Sequence, residues 1–465
     1  MKNKVVFILL LASVFMMSCN NLTDVSSGPL DLFPVAEREE GQKDVIELRT
    51  EALDTVRMAI IGLGMRGSGA VYRYTFIDGV KINAIADIVP KYVENAQKTL
   101  QEAGLPKADE YTGKDDWKKI CERDDIDLVY VVTNWNLHTE IAKYAMENGK
   151  HVAIEVPAAL TIAESWDLVN TAEKTQRHCM MLENCNYDFF ELTTLNMAQE
   201  GLFGEIVHTE GAYIHDLRWL NFAEDKQDYK AYHKQWRIEH LKNFDGNLYP
   251  THGLGPISHI MNIHRGDKME YLVSLSSNQF GMTEYAKEKY GDDSEEAKTV
   301  YNKGDMNTTL IKTSKGKSIL VQHDVTSPRP YSRKHMISGT KGFAQKYPLT
   351  GIALEPNAHG FVSKEKLDSL MEVYKHPITK EYELKAKEVG GHGGMDFIMD
   401  SRLIYCLRNG LPLDQDVYDA AEWSSIIELS RKSVENNGMP VKVPDFTRGA
   451  WKKKDKVTYY FKDKG

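Results

Sequence analysis

Cysteine is scarce in this sequence, and the few that occur do not have the spacing of a metal site. Five cysteines are present in 465 residues. Cys121 and Cys406 lie in helix-like stretches, and Cys179 and Cys185 flank one short apolar run. We therefore expect four small buried side chains and no disulfide framework. No cluster of the His-Glu-x-x-His type occurs either, so no bound metal is expected.

Positive charge is also in short supply. The chain has 58 Lys and Arg against 67 Asp and Glu, a net charge of −9, and a pI near 6. No basic stripe is visible, which argues against a nucleic-acid partner. No internal repeat is found, and the length predicts about two domains.

Long hydrophobic runs are missing except at the N-terminus. The apolar run 5–17 follows two lysines and is too short to span a bilayer as a permanent helix. It ends at Met16-Met-Ser-Cys19, which resembles the lipobox of bacterial lipoproteins. This pattern predicts a signal peptide over 1–19, lipidation of Cys19, and a membrane-anchored lipoprotein of a bacterial cell envelope. An ordinary cleaved secretion signal is the alternative. Residues 20–54 are polar, lack periodicity and predict a linker.

A glycine-rich turn follows the first apolar strand-like run of the remaining chain. Gly62-Leu-Gly-Met-Arg-Gly67 matches the dinucleotide-binding pattern G-x-G-x-x-G, in which Gly62, Gly64 and Gly67 each have a steric task. A second apolar run ends in Asp87, 20 positions after Gly67. An acid at that place accepts hydrogen bonds from the adenosine ribose and repels a 2′-phosphate. The pattern predicts NAD rather than NADP. The alternative is a structural turn followed by a surface aspartate.

Alternating apolar runs and amphipathic stretches predict an α/β fold. The predicted strands of an N-terminal Rossmann-type, doubly wound parallel sheet are 56–62, 81–87, 127–133, 151–156 and 179–184. Those of a C-terminal α+β domain with an open, largely antiparallel sheet are 205–214, 270–280, 307–313 and 317–325. We place an NAD-binding domain over 55–184 and a substrate-binding domain over 185–465. The late helices, 394–408 and 418–436, could pack back on the first domain.

Motifs at the strand ends resemble a known family. Thr133-Asn-Trp-Asn-Leu-His138 and Glu155-Val-Pro-Ala158 are similar to the Gfo/Idh/MocA sugar oxidoreductases, but Val156 stands where most members have a proton-transferring lysine. The differences, together with three further motifs, resemble glycoside hydrolase family 109. Those motifs are Glu183-Asn-Cys-Asn-Tyr187, Tyr249-Pro-Thr-His252 and Gly390-Gly-His-Gly-Gly-Met-Asp396. The resemblance implies an NAD-dependent α-N-acetylgalactosaminidase that retains anomeric configuration.

The resemblance also implies which residues contact the cofactor. They are Met65, Arg66, Asp87, Trp135, Asn136, His138, Glu155, Val156 and Asn184. Their positions at predicted strand ends support this, because an open α/β sheet binds its ligand there. For Arg66 the alternative is a solvated side chain, and for His138 it is a helix cap.

Substrate contacts are implied for a second set. They are Tyr213, Arg237, Tyr249, His252 and Tyr331, with Tyr187 and His392 as further candidates. Tyr213 could instead be plain sheet packing, and Arg237 a structural ion-pair partner. We assign catalysis to Tyr249, His252 and Glu155.

The implied reaction begins with transient oxidation at C3 of the sugar. Proton loss at C2 then expels the group at C1, water adds, and re-reduction follows, so Tyr and His would move protons. The expected partner is a glycan with terminal α-N-acetylgalactosamine, and a homo-oligomer is left open. Two alternatives remain: a conventional NAD-dependent sugar dehydrogenase and a non-catalytic sugar-binding lipoprotein.

Overall fold

The computed structural model describes residues 28–462. The predicted signal peptide over 1–19 and the lipidation site Cys19 lie outside the described residues. Within 28–462, no helix has both the length and the apolar character needed to cross a membrane.

The first sheet is parallel, and its order β3-β2-β1-β4-β5-β6 is doubly wound. Its strands are β1 Val56–Ile61, β2 Val80–Ala86, β3 Asp109–Tyr111, β4 Leu128–Val131, β5 His151–Ile154 and β6 Cys179–Met181. The helices between them are α1 Met65–Tyr74, α2 Pro90–Glu102, α3 Asp116–Cys121, α4 His138–Glu147 and α5 Ile162–Thr175. The Rossmann-type prediction is confirmed. The sequence analysis missed β3, because Asp-Glu-Tyr has no apolar pattern.

Helices cover both faces of this sheet, which explains its apolar sequence. Every residue of β4, β5 and β6 is buried. Strands that are buried on both sides read as continuous apolar runs and not as an alternation. The carboxyl ends of β1, β4, β5 and β6 therefore meet along one edge, where the predicted cofactor residues lie.

The second sheet has eight strands in the order β13-β12-β11-β7-β10-β9-β8-β14. Its pairs are antiparallel except that β7 and β10 run parallel. Its strands are β7 Ile206–Ile214, β8 Met269–Ser276, β9 Asn307–Thr313, β10 Ser318–Asp324, β11 Ser332–Gly339, β12 Gly342–Gln345, β13 Gly351–Leu354 and β14 Val441–Lys442. Buried and accessible residues alternate along β9, as expected for a sheet covered on one face. The largely antiparallel prediction is confirmed.

Ten further helices belong to this second half of the described chain. They are α6 Phe189–Gln199, α7 Arg218–Asn221, α8 Trp236–Asn243, α9 Thr251–Met261, α10 Gly281–Tyr290, α11 Glu295–Lys298, α12 Lys364–Val373, α13 Pro377–Val389, α14 Met395–Asn409 and α15 Val417–Glu435. Helix α9 covers β7 and carries part of the site. Helix α14 shares a core with β1, and α15 packs on α5 and on β8, so the late helices tie the two sheets together.

Residues 28–54, which the sequence assigns to a linker, contain no helix and no strand but are docked on the body. Arg38 forms an ion pair with the buried Glu173, with 2.9 Å between Nη2 and Oε1. The amide of Val45 donates a hydrogen bond to the Tyr418 hydroxyl, and the Val45 side chain is buried. This part of the chain is therefore held against α5 and α15 rather than free. The physical reason is a small set of specific contacts that its polar composition conceals.

Candidate active site

The glycine turn between β1 and α1 has the shape of a phosphate cradle. Gly62 has φ +99°, and a Cβ there would stand 2.5 Å from the Val132 carbonyl oxygen. A Cβ on Gly67 would stand 2.0 Å from the Gly62 carbonyl oxygen. A Cβ on Gly64 would meet nothing within 4 Å. The turn therefore needs two of its glycines for its own packing, while Gly64 faces the open space in which a pyrophosphate would lie before the N-terminus of α1.

Asp87 follows β2 and faces this turn. Its carboxylate accepts the amide N–H of Leu63 at 2.6 Å and that of Val89 at 2.8 Å. Burial raises the pKa of Asp87, and the two amide hydrogen bonds act in the opposite direction. Each carboxylate oxygen can accept more than one hydrogen bond. Asp87 therefore braces the turn and still has capacity for the ribose hydroxyls of a dinucleotide.

Arg66 is partly exposed but not alone, since it bridges two carboxylates. Its guanidinium lies 2.9 Å from Glu155 Oε1 and 3.0 Å from Asp396 Oδ2. The Tyr130 hydroxyl also donates to Glu155, at 2.9 Å. Burial opposes ionisation of Asp396, but the charge of Arg66 outweighs it and holds the pKa of Asp396 well below its usual value. A contact between Arg66 and a phosphate would have to be made beside these two ion pairs.

Asp396 is a site residue that the sequence analysis did not single out. It accepts a hydrogen bond from the Asn184 side chain and lies 2.8 Å from His392 Nδ1. The sequence did contain a signal for Asp396, because the glycine-rich motif 390–396 ends at this residue. Residues 390–394 all have positive φ, which brings the motif against Arg66.

Two of the predicted cofactor residues, His138 and Val156, have side chains that are buried in the protein. His138 is buried, with Nδ1 2.8 Å from the Pro157 carbonyl and Nε2 3.0 Å from the Thr133 carbonyl. Burial lowers the pKa of His138 and favours the neutral ring, which has one N–H, so His138 donates to one of these two carbonyls and braces one of the loops after β4 and β5. The Val156 side chain is buried in the core and offers only an apolar surface. Asn136 and Met65 remain accessible near the same edge.

The five predicted substrate residues come together in one aromatic cluster. The ring of Tyr213 lies 4.7 Å from Tyr249, 5.1 Å from His252 and 6.3 Å from Tyr331. The Arg237 guanidinium lies over the ring of Tyr249 at 4.8 Å and over that of Trp135 at 4.7 Å. Tyr213 therefore packs among the other predicted substrate residues, and its contact with substrate stays a prediction.

The carboxyl ends of β1, β4, β5 and β6 form what we call the cofactor edge. The aromatic cluster adjoins this edge through one aromatic contact. Trp135, which follows β4, stacks on Tyr249 with 5.7 Å between ring centroids. Arg237 donates to the Tyr232 hydroxyl and pairs with no carboxylate among residues 28–462, so it is not a structural ion-pair partner. A guanidinium without a carboxylate partner in an aromatic cage suits a neutral or anionic oxygen of a ligand.

Glycine contacts set the position of His252 at the start of α9. A Cβ on Gly253 would stand 2.3 Å from the Ala212 amide nitrogen, and one on Gly211 would stand 2.1 Å from the Gly253 carbonyl oxygen. The first turn of α9 thus lies directly on β7. A Cβ on Gly255 would stand 2.7 Å from Glu183 Cγ, so this glycine admits the Glu183 side chain. The glycines of the segment 249–255 therefore allow helix α9 to approach both β7 and Glu183 closely.

Glu183 is a second site residue that sequence reasoning missed. It follows β6, is fully buried, and its two carboxylate oxygens lie 2.7 and 2.9 Å from His252 Nδ1. Burial would raise the pKa of Glu183, but the charge and hydrogen bond of His252 outweigh burial and lower it. The glutamate is therefore ionised beside the histidine.

One group of side chains has the composition of a metal site. Within the described chain, ligand atoms of Glu183, Cys185 and His252 lie within 4.8 Å of one another. Burial raises the pKa of the Cys185 thiol well above its ordinary value, so the thiolate that a metal prefers is disfavoured. His252 Nδ1 is at hydrogen-bonding distance from Glu183. These facts favour a hydrogen-bonded pair over a metal centre, and the expectation of no metal stays a prediction.

The two further candidates differ in position. Tyr187 is fully buried, and its hydroxyl donates to Asp414 at 3.2 Å, which is a structural contact. His392 is more than half exposed and lies at hydrogen-bonding distance from Arg66 and Asp396. Its place is thus beside the cofactor edge, not in the aromatic cluster.

Comparisons with known proteins agree with this geometry. Residues 56–183 match the family described as "Oxidoreductase family, NAD-binding Rossmann fold". Residues 187–453 match "Glycosyl hydrolase 109, C-terminal domain".

Two relatives align over nearly their whole length. The chain is 59% identical over 412 residues to an alpha-N-acetylgalactosaminidase of Bacteroides fragilis, covering 89% of this chain and 96% of that protein. It is 54% identical over 438 residues to a glycosyl hydrolase family 109 protein of Porphyromonas gingivalis, covering 91% and 90%.

Solved structures at low sequence identity share the fold. An oxidoreductase domain protein from Kribbella flavida has a TM-score of 0.63 at 18% identity, covering 84% of this chain and all of that one. Levoglucosan dehydrogenase in complex with NADH and levoglucosan has the same score and identity, covering 84% and 99%. With both family matches and both relatives in agreement, the chain belongs to glycosyl hydrolase family 109 and has an NAD-binding Rossmann domain.

Proposed function

We propose that this NAD-dependent glycoside hydrolase releases terminal α-linked N-acetylgalactosamine from glycans with retention of anomeric configuration. The name of the Bacteroides fragilis relative, at 59% identity, supports the choice of sugar. The observation that carries the proposal is the aromatic cluster with Tyr249 and His252, which adjoins the cofactor edge at Trp135.

Bound NAD supplies reversible oxidation at C3 of the sugar, so that the C2 hydrogen becomes acidic and the net redox change is zero. The chain must then supply a base for the C2 proton, a donor for the C3 oxygen, and proton transfer at C1. Burial and the nearby Tyr213 raise the pKa of Tyr249 well above its ordinary value, so Tyr249 is a neutral donor. His252, with 14% of its side chain exposed, is the candidate base.

Glu155 has a supporting place in this scheme. Its carboxylate is neutralised by Arg66 and accepts from the Tyr130 hydroxyl. These contacts are already made within the protein and favour a role in orienting Arg66 and the ligand. We retain Glu155 as a catalytic candidate because it lies at the end of β5 on the cofactor edge.

The conventional dehydrogenase is disfavoured by one residue. The family of sugar oxidoreductases uses a lysine after the strand-end glutamate, whereas this chain has the buried Val156. An aliphatic side chain cannot transfer a proton, so net oxidation of a sugar alcohol lacks its usual acid or base. A non-catalytic sugar-binding protein is disfavoured by the titratable pair Glu183 and His252 within the cluster.

A panel of p-nitrophenyl glycosides tests the function. We expect release of p-nitrophenol from the α-N-acetylgalactosaminide and little from its β-anomer or from α-glucoside. Cleavage in D₂O should place deuterium at C2 of the released sugar, because that proton is removed and returned. Hydrolysis with only hydrogen at C2 would contradict the elimination route. Accumulation of NADH with oxidised sugar would identify a dehydrogenase, and binding without turnover a sugar-binding protein.

We further propose that the mature protein is a lipoprotein anchored at Cys19 in a bacterial cell envelope. The support is the lipobox-like segment before Cys19 in the sequence. Labelling cells with a fatty-acid analogue should tag the wild type and not Cys19→Ala. Release of an unlabelled, processed wild-type protein would indicate an ordinary secretion signal instead.

A further inference from the structure

We infer that Glu183 is a positioning residue that fixes the tautomer and orientation of His252, so that Nε2 of His252 is the atom that takes the substrate proton. The inference rests on the proposed function, since it assumes that His252 acts on the sugar. It assigns a role to a buried glutamate in the wall of the site.

The first support is the geometry of the pair. Both Glu183 oxygens lie within 2.9 Å of His252 Nδ1, and Oε1 also accepts the Cys185 amide N–H at 3.0 Å. An ionised carboxylate has no hydrogen to donate, so the proton between the two groups lies on Nδ1. Nε2 is then unprotonated in the neutral ring and able to act as a base.

The second support is that the pair cannot relax. Glu183 is fully buried, its backbone carbonyl accepts from the Gln415 side chain at 3.1 Å, and Gly255 of α9 presses against its Cγ. His252 is fixed from the other side by the contact of Gly253 with β7. The backbone that carries each partner therefore cannot shift without moving a strand end or a helix. This is the arrangement by which a carboxylate orients a catalytic histidine in hydrolase triads.

The third support is energetic. Taking a lone carboxylate out of water costs several kcal/mol, and a buried charge persists only when it is paired. Among residues 28–462, the only basic side chain within ion-pair distance of Glu183 is His252, which hydrogen-bonds to the carboxylate as a neutral ring and becomes its ion-pair partner once Nε2 has taken a proton. An ionised glutamate placed there for stability alone would be better served by an arginine, as Glu173 is by Arg38 and Arg448. The choice of a histidine that faces the cluster points to proton transfer.

Glu183→Gln is the central variant. The Gln oxygen would keep the Cys185 amide, so its NH₂ would face Nδ1 and donate to it. The ring would then carry its proton on Nε2, which is the wrong tautomer for a base. In serine-protease triads, the same carboxylate-to-amide change costs about 10⁴-fold in kcat. We expect kcat on the α-N-acetylgalactosaminide to fall about 10²–10⁴-fold, with KM and NAD affinity changed less than about threefold.

A double variant separates positioning from an independent role. In the His252→Ala background, Glu183→Gln should cost little further activity, because two residues that act as a unit are not additive. Multiplicative losses would overturn the inference, as would an unchanged kcat in the single variant. Glu173→Gln is the matched control, since Glu173 is equally buried but lies far along α5. It should lose stability and keep kcat per folded molecule.

Ring ¹⁵N spectra of histidine-labelled protein test the inference without turnover. The signal absent from His252→Ala should show a protonated Nδ1 and an unprotonated Nε2 at mildly alkaline pH. The opposite pattern would overturn the assignment even if Glu183→Gln fails to fold. If the wild type cleaves no α-N-acetylgalactosaminide, the proposed function fails while the tautomer measurement still decides the role of Glu183.

Discussion

Two alanine variants of the glycine turn should separate packing from cofactor binding. In Gly67→Ala, the new Cβ would stand 2.0 Å from the Gly62 carbonyl oxygen, well inside ordinary contact. Overpacking of this kind costs about 1–3 kcal/mol, and here the neighbour is backbone that cannot rotate away. We expect the free energy of unfolding to fall by about 3 kcal/mol, Tm to fall by several degrees, and NAD binding to be lost.

Gly64→Ala should give the opposite combination. A Cβ on Gly64 meets nothing within 4 Å, and its φ of −66° suits alanine. The free energy of unfolding of the unliganded variant should therefore lie within about 0.5 kcal/mol of the wild-type value. The methyl would occupy the space of the pyrophosphate, so NAD should bind at least tenfold more weakly, a loss of about 1.4 kcal/mol. Calorimetric titration with NAD and thermal melts of NAD-free protein measure both. Gly64→Ala with wild-type NAD affinity would refute the placement of the pyrophosphate over this glycine.

Four shorter predictions follow from other parts of the site. His252→Ala should lower kcat by about 10²–10⁴-fold while NAD affinity is kept, and Tm should fall because the buried Glu183 loses its partner; near-normal turnover per folded molecule would remove His252 from the mechanism. Asp87→Ala should weaken NAD binding by about 1–3 kcal/mol and reduce the preference of the protein for NAD over NADP, which titration with both dinucleotides would show. EDTA should leave activity intact, whereas loss restored by a divalent ion would make Glu183, Cys185 and His252 a metal site. The charges of Lys346 and Arg333 outweigh burial and lower the pKa of Glu191 to about 2. The contribution of Glu191 to stability is therefore complete above its pKa in the unfolded chain and is lost as the pH falls towards 2. The Tm difference between wild type and Glu191→Gln should shrink over that pH range.

The fold could be predicted from sequence where burial leaves a periodic signal. Strand β9 was predicted at 307–313, as observed, and buried and accessible residues alternate along it. Strand β3 was missed because its three residues carry no such pattern. The stretch 284–304 is acidic and rich in lysine, a composition typical of an exposed segment. It is mostly exposed but contains helix α11 and ends in the buried Tyr301 and Lys303, which composition does not reveal.

The sequence could predict which residues lie together but not how they pair. The resemblance named Tyr213, Tyr249 and His252, and the structure brings them into ring contact. It did not show that Glu183 would face His252, because the two are 69 residues apart and meet only through the packing of α9. His138 illustrates the converse. Its place after a strand is typical of a ligand contact, but the buried ring lies between two backbone carbonyls and donates its one N–H to one of them.

The two sheets have different chemical roles in the proposed mechanism because the cofactor edge lacks the lysine of the sugar oxidoreductases. At the end of β5, Glu155 is neutralised by Arg66, and the next residue is the buried Val156. The glutamate already contacts Arg66 and the Tyr130 hydroxyl, and the valine side chain cannot transfer a proton. In the proposed mechanism the base therefore comes from the second half of the chain. Glycines at the first turns of helix α9 let it lie directly on β7 with His252 facing the cluster. Under that mechanism, the glycines that place the helix also place the base that this strand end lacks.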